Sequence, residues 1–340
     1  MNQRLFAVVT SIQRPTPAME RWPEVLQSVN APLFVIGDRK GPDTFELPGA
    51  QLITLAAQQA GPFRLGQSAP SGHYARKNIG YLVAIARGAT CIYETDDDNA
   101  PLSTWAARSR DVEALVSPED RWINIYKYFT DALIWPRGFP IDLIHRPVTS
   151  MRGQTALVTS SIQQGLANGS PDVDAIWRLV LDRHFDFSSG TSVSLPVGSF
   201  CPFNSQSTWW WTPAFPLMYL PSYCSFRMTD IWRGLVAQRC LWEIGERLVF
   251  HGPEVVQARN EHCLLSDFRE EVPGYLANGE IAGLLLSISL RAGPEQVSAN
   301  LLRCYEALVS AKHGKASPGP VPRATTARRR SPPTRPPWAA

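Results

Sequence analysis

The sequence predicts an α/β protein built on a mostly parallel sheet flanked by helices. Three observations carry that expectation. Short apolar runs at 4–12, 33–37 and 51–55 alternate with a stretch of helical spacing, Trp22, Val25, Leu26 and Val29. A longer helical stripe, Ala75, Ile79, Leu82, Val83 and Ala86, leads directly into a β-branched and aromatic run at 91–95. Alternation of strand and helix at this spacing is the pattern of βαβ units, because parallel strands need long, usually helical, crossovers. Finally, 340 residues with 44% hydrophobic and 19% charged content can bury a substantial core.

Each element has a local reason. The first strand ends at Thr10 and Ser11, where Pro15 and Pro17 open a loop. Ser71-Gly72 offers a cap for a helix over 74–87, which Gly88 closes. Beyond residue 99 the pattern is mixed. An aromatic strand is expected over 122–128, and a helix over 171–182 with Pro171 at its first position and Asp172 and Asp174 in its first turn, where acids are stabilised. Residues 200–211 form a polar-aromatic segment, and 215–220 resemble a strand. A strong helix is expected over 229–244, and further helical material over 261–268 and 279–310. Three adjacent tryptophans, Trp209, Trp210 and Trp211, are expected to split between core and surface.

The formal charge of +3 hides two regions. From Lys312 onward there are seven basic residues, seven prolines and no acid, so the remainder carries 26 basic against 30 acidic residues. That composition predicts a disordered tail after one folded domain at 1–311. The tail's arginines could make weak contact with an anionic surface, and no specific nucleic-acid site is expected. Six cysteines without a CxxC pair read as reduced, mostly buried thiols, and no apolar run is long enough to span a bilayer. A cytoplasmic location is the expectation.

The chemistry concentrates at Asp96, Asp97 and Asp98, which close the run at 91–95. Adjacent carboxylates repel, and a divalent cation such as Mn²⁺ or Mg²⁺ relieves the repulsion; an exposed acidic turn is the other reading. Arg76 and Lys77 stand at the start of the preceding helix, where the dipole disfavours cations. They therefore either splay into water or meet an anion such as a pyrophosphate. Neither a Gly-x-x-x-x-Gly-Lys loop nor a GxGxxG is present. A nucleoside diphosphate held through a metal, as in a sugar nucleotide, suits this set. Asn204 and Gln206 have no apolar reason to lie in their segment and are candidates for an acceptor loop.

The segments HYARKNIGYLVAIARGATCIYETDDDN (73–99), PDVDAIWRL (171–179), CPFNSQSTWW (201–210), SFRMTDIWRGLVAQRCLWEIG (225–245) and VVQARNEHCLLSDFREE (255–271) resemble the STELLO family of glycosyltransferases. The aspartate triplet with a later Asp-Ile-Trp-x-Gly is also similar to the reversibly glycosylated polypeptides, which include UDP-arabinopyranose mutases. The resemblance implies a GT-A-type fold with a nucleotide-binding half at 1–100 and an acceptor-side half at 101–311. It also implies a UDP-sugar donor, a glycan or other acceptor, and a divalent metal at a DxD-like motif. In that pattern Asp96 faces the ribose or sugar, Asp98 binds the metal and Asp97 can substitute for either. Thr10, Ser11 and Asp38 would contact the nucleoside, Arg76 and Lys77 the phosphates or base, and His251 or His262 would add a metal ligand. Asp230 is a candidate base or charge stabiliser, with Trp232 beside it on the acceptor side. Asp172 and Asp174 form a second acidic pair, and each of these acids is equally at home as a helix-start residue. Plant relatives carry a membrane anchor, so the expected resemblance is to their catalytic part. A mutase, a self-glycosylating protein, or a non-catalytic assembly partner with the same fold are the alternatives.

Overall fold

A computed structural model describes residues 3–147 and 154–311. The basic, proline-rich tail at 312–340 lies outside the described residues.

The chain begins with strand β1 (Leu5–Thr10), helix α1 (Trp22–Ser28), strands β2 (Leu33–Ile36) and β3 (Ala50–Ile53), and short helices α2 (Leu55–Ala60) and α3 (Arg64–Ser68). Helix α4 (Lys77–Ala86), entered through a tight turn at Tyr74–Arg76, then leads into β4 (Cys91–Thr95). Strands β5 (Asn99–Pro101), β6 (Asp111–Val116), β7 (Thr155–Thr159) and β8 (Ile162–Gly169) precede helix α5 (Ala175–Leu181). Strands β9 (Val193–Ser194) and β10 (Ser207–Trp211), helix α6 (Thr229–Leu241), strand β11 (Val249–Gln257) and helices α7 (Leu264–Ser287) and α8 (Val297–Ser310) complete it.

Among the described residues these strands make one eleven-stranded sheet in the order β3-β2-β1-β4-β10-β8-β11-β9-β6-β7, with β5 also on β11. From β3 to β4 every pairing is parallel, and β10 then runs antiparallel to both β4 and β8. The remainder mixes both directions. This is a GT-A-like, Rossmann-related arrangement.

Period-two side-chain alternation sorts the central strands into two cores. Phe6, Val8, Phe34, Ile36, Ile92 and Trp210 face one core, under α4, α6, α7 and α8. Leu5, Ala7, Val9, Val35, Tyr93, Trp209 and Trp211 face the other, against Trp22 and Leu26 of α1 and against Trp105. Both faces are covered, as near-continuous apolar strands require. The three tryptophans are therefore all buried rather than split with the surface, because β10 is a central strand.

Four other expectations differ from the structure. Helix α5 starts only at Ala175, with Asp174 as its cap and Pro171 and Asp172 before it. Residues 122–128 form an isolated bridge at Trp122 and a tight turn at Ile125–Tyr128, where aromatic content reflects core packing rather than a ladder. Residues 215–220 belong to a turn of 3-10 helix, Thr212–Met218, opened by Pro213 and tolerating Pro216. Helix α7 continues through Pro273, which sits about two and a half turns inside it, so the two expected helical pieces are differently divided.

Candidate functional site

Parallel strands β1, β2 and β4 all end on the same edge, and an open cleft of about 550 Å³ lies beyond their carboxyl ends. The aspartate triplet is the turn that closes β4. Asn99 N–H bonds back to the Asp96 carbonyl at 3.2 Å, and β5 then runs along the end of β11. Each carboxylate thereby meets a different element. Asp96 accepts from the Tyr74 hydroxyl at 2.6 Å and from Lys77 Nζ at 3.0 Å. Asp97 accepts from Ser11 Oγ at 2.6 Å, and Asn260 lies at 3.4 Å. Asp98 Oδ2 accepts from Gln257 Nε2 at 2.9 Å.

The other Asp98 oxygen, Oδ1, is buried without a hydrogen-bond partner. Burial, and then the Asp96 charge, push the Asp98 carboxyl up to about 7 against the opposing Gln257 bond and a smaller opposing pull from the Asn260 backbone N–H. Burial raises Asp97 as well, with Ser11 opposing. An oxygen-ligated divalent cation fits this orphan oxygen and relieves both pressures. Among the described residues no group of three or more His, Cys, Asp and Glu side chains encloses a metal position. A cation here would take one or two carboxylates and complete its shell with substrate oxygens and water, the usual arrangement for Mg²⁺ at phosphates.

Arg76 and Lys77 are not splayed into water and already have partners within the protein, and Arg76 also lines the cleft. Arg76 is buried and donates to Gln58 and to the carbonyls of Ala69 and Gly66, tying down the segment before α4. Lys77 is fully buried and donates to Tyr74, Asp96 and the carbonyls of Thr95 and Ser205. Thr10, Ser11 and Asp38 line the cleft. Asp38 accepts from the backbone N–H groups of Arg39, Gly72 and His73, which hold the 72–73 turn against the end of β2.

The opposite wall carries Asp230 in the first turn of α6. Arg137 bridges it to Asp172, with contacts of 3.0 and 2.9 Å to Asp230 and 2.7 and 2.9 Å to Asp172. Burial alone would raise Asp172, but the Arg137 charge outweighs it and holds the carboxyl below its ordinary range. Arg137 and Asp230 line the cleft together with Phe226 and Arg227.

No family model matches the chain. Probable glycosyltransferase STELLO2 of Arabidopsis thaliana is 30% identical over 278 residues, covering 75% of this chain and 36% of that protein. Probable glycosyltransferase STELLO1 of the same plant is 30% identical over 244 residues, covering 65% of this chain and 31% of that protein. The chain belongs to a STELLO-like family. It spans about a third of the length of these curated relatives.

Within this STELLO-like chain the remaining candidates other than His262 fall away from the cleft. Asp174 caps α5, accepting from Trp177 N–H at 2.8 Å and from the Trp135 indole at 2.6 Å, which is the helix-start alternative. His251 lies inside the sheet, six residues before Gln257 on β11 and hence roughly 20 Å along the strand from it. Its ring nitrogens meet Ser192 at 2.7 Å and Gln163 at 2.9 Å, and burial holds it well below the ordinary imidazole range. The structure does not bring it to the triplet, whereas His262 does line the cleft. Asn204 and Gln206 are buried braces: Asn204 donates to Asp172, and Gln206 contacts Asn99. The Trp232 indole donates to Asn278 in the core.

Gln257, Asn260 and Tyr74 escaped the sequence reading, although all three lie inside segments that carried the resemblance. Arg137 and Phe226 also escaped it; Arg137 lies between those segments, while Phe226 lies inside one.

Proposed function

We propose that this chain is a glycosyltransferase that binds a nucleoside-diphosphate sugar in the cleft beyond β1, β2 and β4. The observation that carries the reading is the buried, unpartnered Asp98 Oδ1 beside two further carboxylates at the strand end. The STELLO-like sequence supports the same reaction class, as what those relatives are named for.

Thr10 and Asp38 lie on the nucleoside side. Asp96, oriented by Tyr74 and Lys77, presents its remaining oxygen toward ribose or sugar. Asp98, with Asp97 behind it, would hold Mn²⁺ or Mg²⁺. Such a cation acts as a Lewis acid that offsets the charge developing on a departing diphosphate. Across the cleft both oxygens of Asp230 already accept from Arg137. That arrangement suits a fixed negative charge beside an electron-poor anomeric carbon better than a proton-abstracting base. Lys77 serves as the internal counter-ion of Asp96, so two of the three aspartates remain for the cation.

Titration of the protein with UDP, with and without Mn²⁺, tests the reading, followed by UDP release from a panel of UDP-sugars. Mn²⁺-dependent UDP binding is expected, and release from at least one donor. An absence of UDP binding under both conditions would overturn it. Isomerisation of the donor ring without any acceptor would instead assign a mutase.

A further inference from the structure

Phe226 is the largest apolar side chain open to the cleft, 48% exposed in an otherwise polar wall. It starts the turn Phe226–Met228 immediately before α6, four residues ahead of Asp230. Its ring packs at a steep angle on His73, with centroids 6.0 Å apart, and on Tyr74 at 5.9 Å. Tyr74 is the residue whose hydroxyl orients Asp96. The ring therefore joins the aspartate wall to the α6 wall at the mouth of the cleft.

This exposure is not that of a loose loop. Phe226 N–H donates to Glu270 Oε2 at 2.9 Å, Ser225 Oγ donates to the Glu270 carbonyl at 2.6 Å, and Arg227 pairs with Glu271 at 2.8 Å. Helix α7 thus holds the turn from behind. A singly exposed aromatic is ordinary on a convex surface. A pinned one lining a cleft is not, although Ile12 also opens an apolar side chain there.

Two polar groups flank the ring with capacity to spare. Asp230 accepts from Arg137 and Ile231 N–H but, as a carboxylate, has lone pairs for another donor. His73 Nδ1 accepts from Ala75 N–H, which leaves Nε2–H as a donor in the neutral ring. Burial lowers the His73 pKa and favours that neutral form. An apolar face bordered by one acceptor and one donor matches a pyranose, whose C–H face packs on an aromatic ring while its rim presents hydroxyls.

We propose that Phe226 is the platform of a pyranose-binding acceptor subsite, with Asp230 and His73 meeting hydroxyls at its rim. The word acceptor rests on the glycosyltransferase reading; the pyranose platform does not. The nucleoside would lie toward Thr10 and Asp38; Asp38 accepts from His73 N–H, so the two subsites adjoin at His73, and uridine alone serves as the control that separates them.

Saturation-transfer NMR on the full chain with UDP and Mn²⁺ present tests the subsite, using methyl β-D-glucopyranoside and methyl β-D-galactopyranoside as probes. Transfer is expected to concentrate on the C–H protons of one ring face of at least one probe. It should fall about fivefold in Phe226→Ala and be recovered in Phe226→Trp. Circular dichroism melting of both variants checks that they fold. Transfer unchanged in a folded Phe226→Ala, no transfer from either glycoside, or a Phe226-dependent signal from uridine alone would each overturn the subsite. UDP titration of the unaltered chain reads the donor separately. If UDP fails to bind while face-selective, Phe226-dependent glycoside transfer persists, the platform stands and the transferase reading falls.

Discussion

Replacing Asp98 by Ala removes, among the described residues, the one buried carboxylate oxygen that has no partner. Gln257 keeps its place on β11, and Asp96 and Asp97 keep their own donors, so the turn should survive. Mn²⁺-assisted UDP affinity should fall by roughly tenfold or more, since one of at most two protein ligands is lost. Calorimetric titration at fixed Mn²⁺ reads this, and an unchanged affinity would remove Asp98 from the metal site. Asp174 gives the contrasting case of an acid whose work is structural. Burial raises its carboxyl to about 6 against the cap bonds, so the folded state favours the protonated form. Its contribution is fully present below the unfolded value near 3.8 and is lost as pH climbs through 6. Asp174→Asn retains an acceptor for Trp177 N–H without a charge, so it should gain stability relative to the parent between about pH 4.5 and pH 7.5. Asp174→Ala should follow the same pH trend relative to the parent but lie about 1 kcal/mol below Asp174→Asn at either pH, as missing caps do. Urea unfolding at both pH values distinguishes the three proteins. Sequence alone placed Asp172, Asp174 and Asp230 in one class, because all three stand near helix starts. Only tertiary contacts separate the cap from the pair that shares Arg137.

Helix α4 shows why an element's position matters as much as its existence. Its helical stripe was legible from Ala75, Ile79 and Leu82, and the strand after it was legible from Ile92, Tyr93 and Thr95, the β-branched and aromatic residues of a five-residue run. Its closeness to the sheet was not. A Cβ on Gly80 would lie 2.5 Å from Val8 Cγ1 and 2.8 Å from Ile36 Cγ1, so α4 rests on β1 and β2 with no room for a methyl group. Gly80→Ala should therefore cost about 1–3 kcal/mol through overpacking. Because Lys77 sits one turn earlier and Tyr74 in the turn that precedes α4, it should also weaken UDP binding by shifting their grip on Asp96. A lowered melting temperature together with weaker UDP titration is the expected pair of results; an unchanged melt would show that the helix can slide freely. The cations at 76–77 were misread for a related reason. The dipole argument held for an exposed helix start, but this one is covered by the 58–73 segment and by the strand end, whose carbonyls take the place of water. Strands β8 and β11 left weaker traces because glycine and glutamine interrupt the first, and glycine and proline the second. Their ladders come from pairing with each other rather than from local propensity.

The two walls of the cleft belong to distant parts of the chain, and one buried ion pair sets them at a single spacing. Glu94, two residues before Asp96 on β4, meets Arg233 of α6 at 2.8 Å with both side chains fully buried. Arg233 also donates to the Asn204 carbonyl, and Glu94 accepts from the indole of Trp210. Strand β4 thereby joins the parallel part of the sheet to β10, and α6 carries Asp230 one turn before Arg233. Neither partner signals this from sequence, since a glutamate inside an apolar strand has no helical or strand-edge pattern. Removing one charge and leaving the other buried should cost about 3–5 kcal/mol, a large part of the 5–15 kcal/mol that holds a typical domain. Arg233→Met should accordingly destabilise by that amount. Glu94→Gln with Arg233→Met should recover most of the loss, since the amide oxygen still accepts from Trp210 and no charge is stranded. If the sheet and both cores form one unit from β3 to β7, each variant will unfold in a single transition. Tryptophan fluorescence and far-ultraviolet circular dichroism would then coincide along the urea axis, although α6 and β4 are more than a hundred residues apart. Separated transitions would mean that residues 1–100 and 101–311 fold independently, and the cleft would then be an interface between them rather than a feature of one sheet.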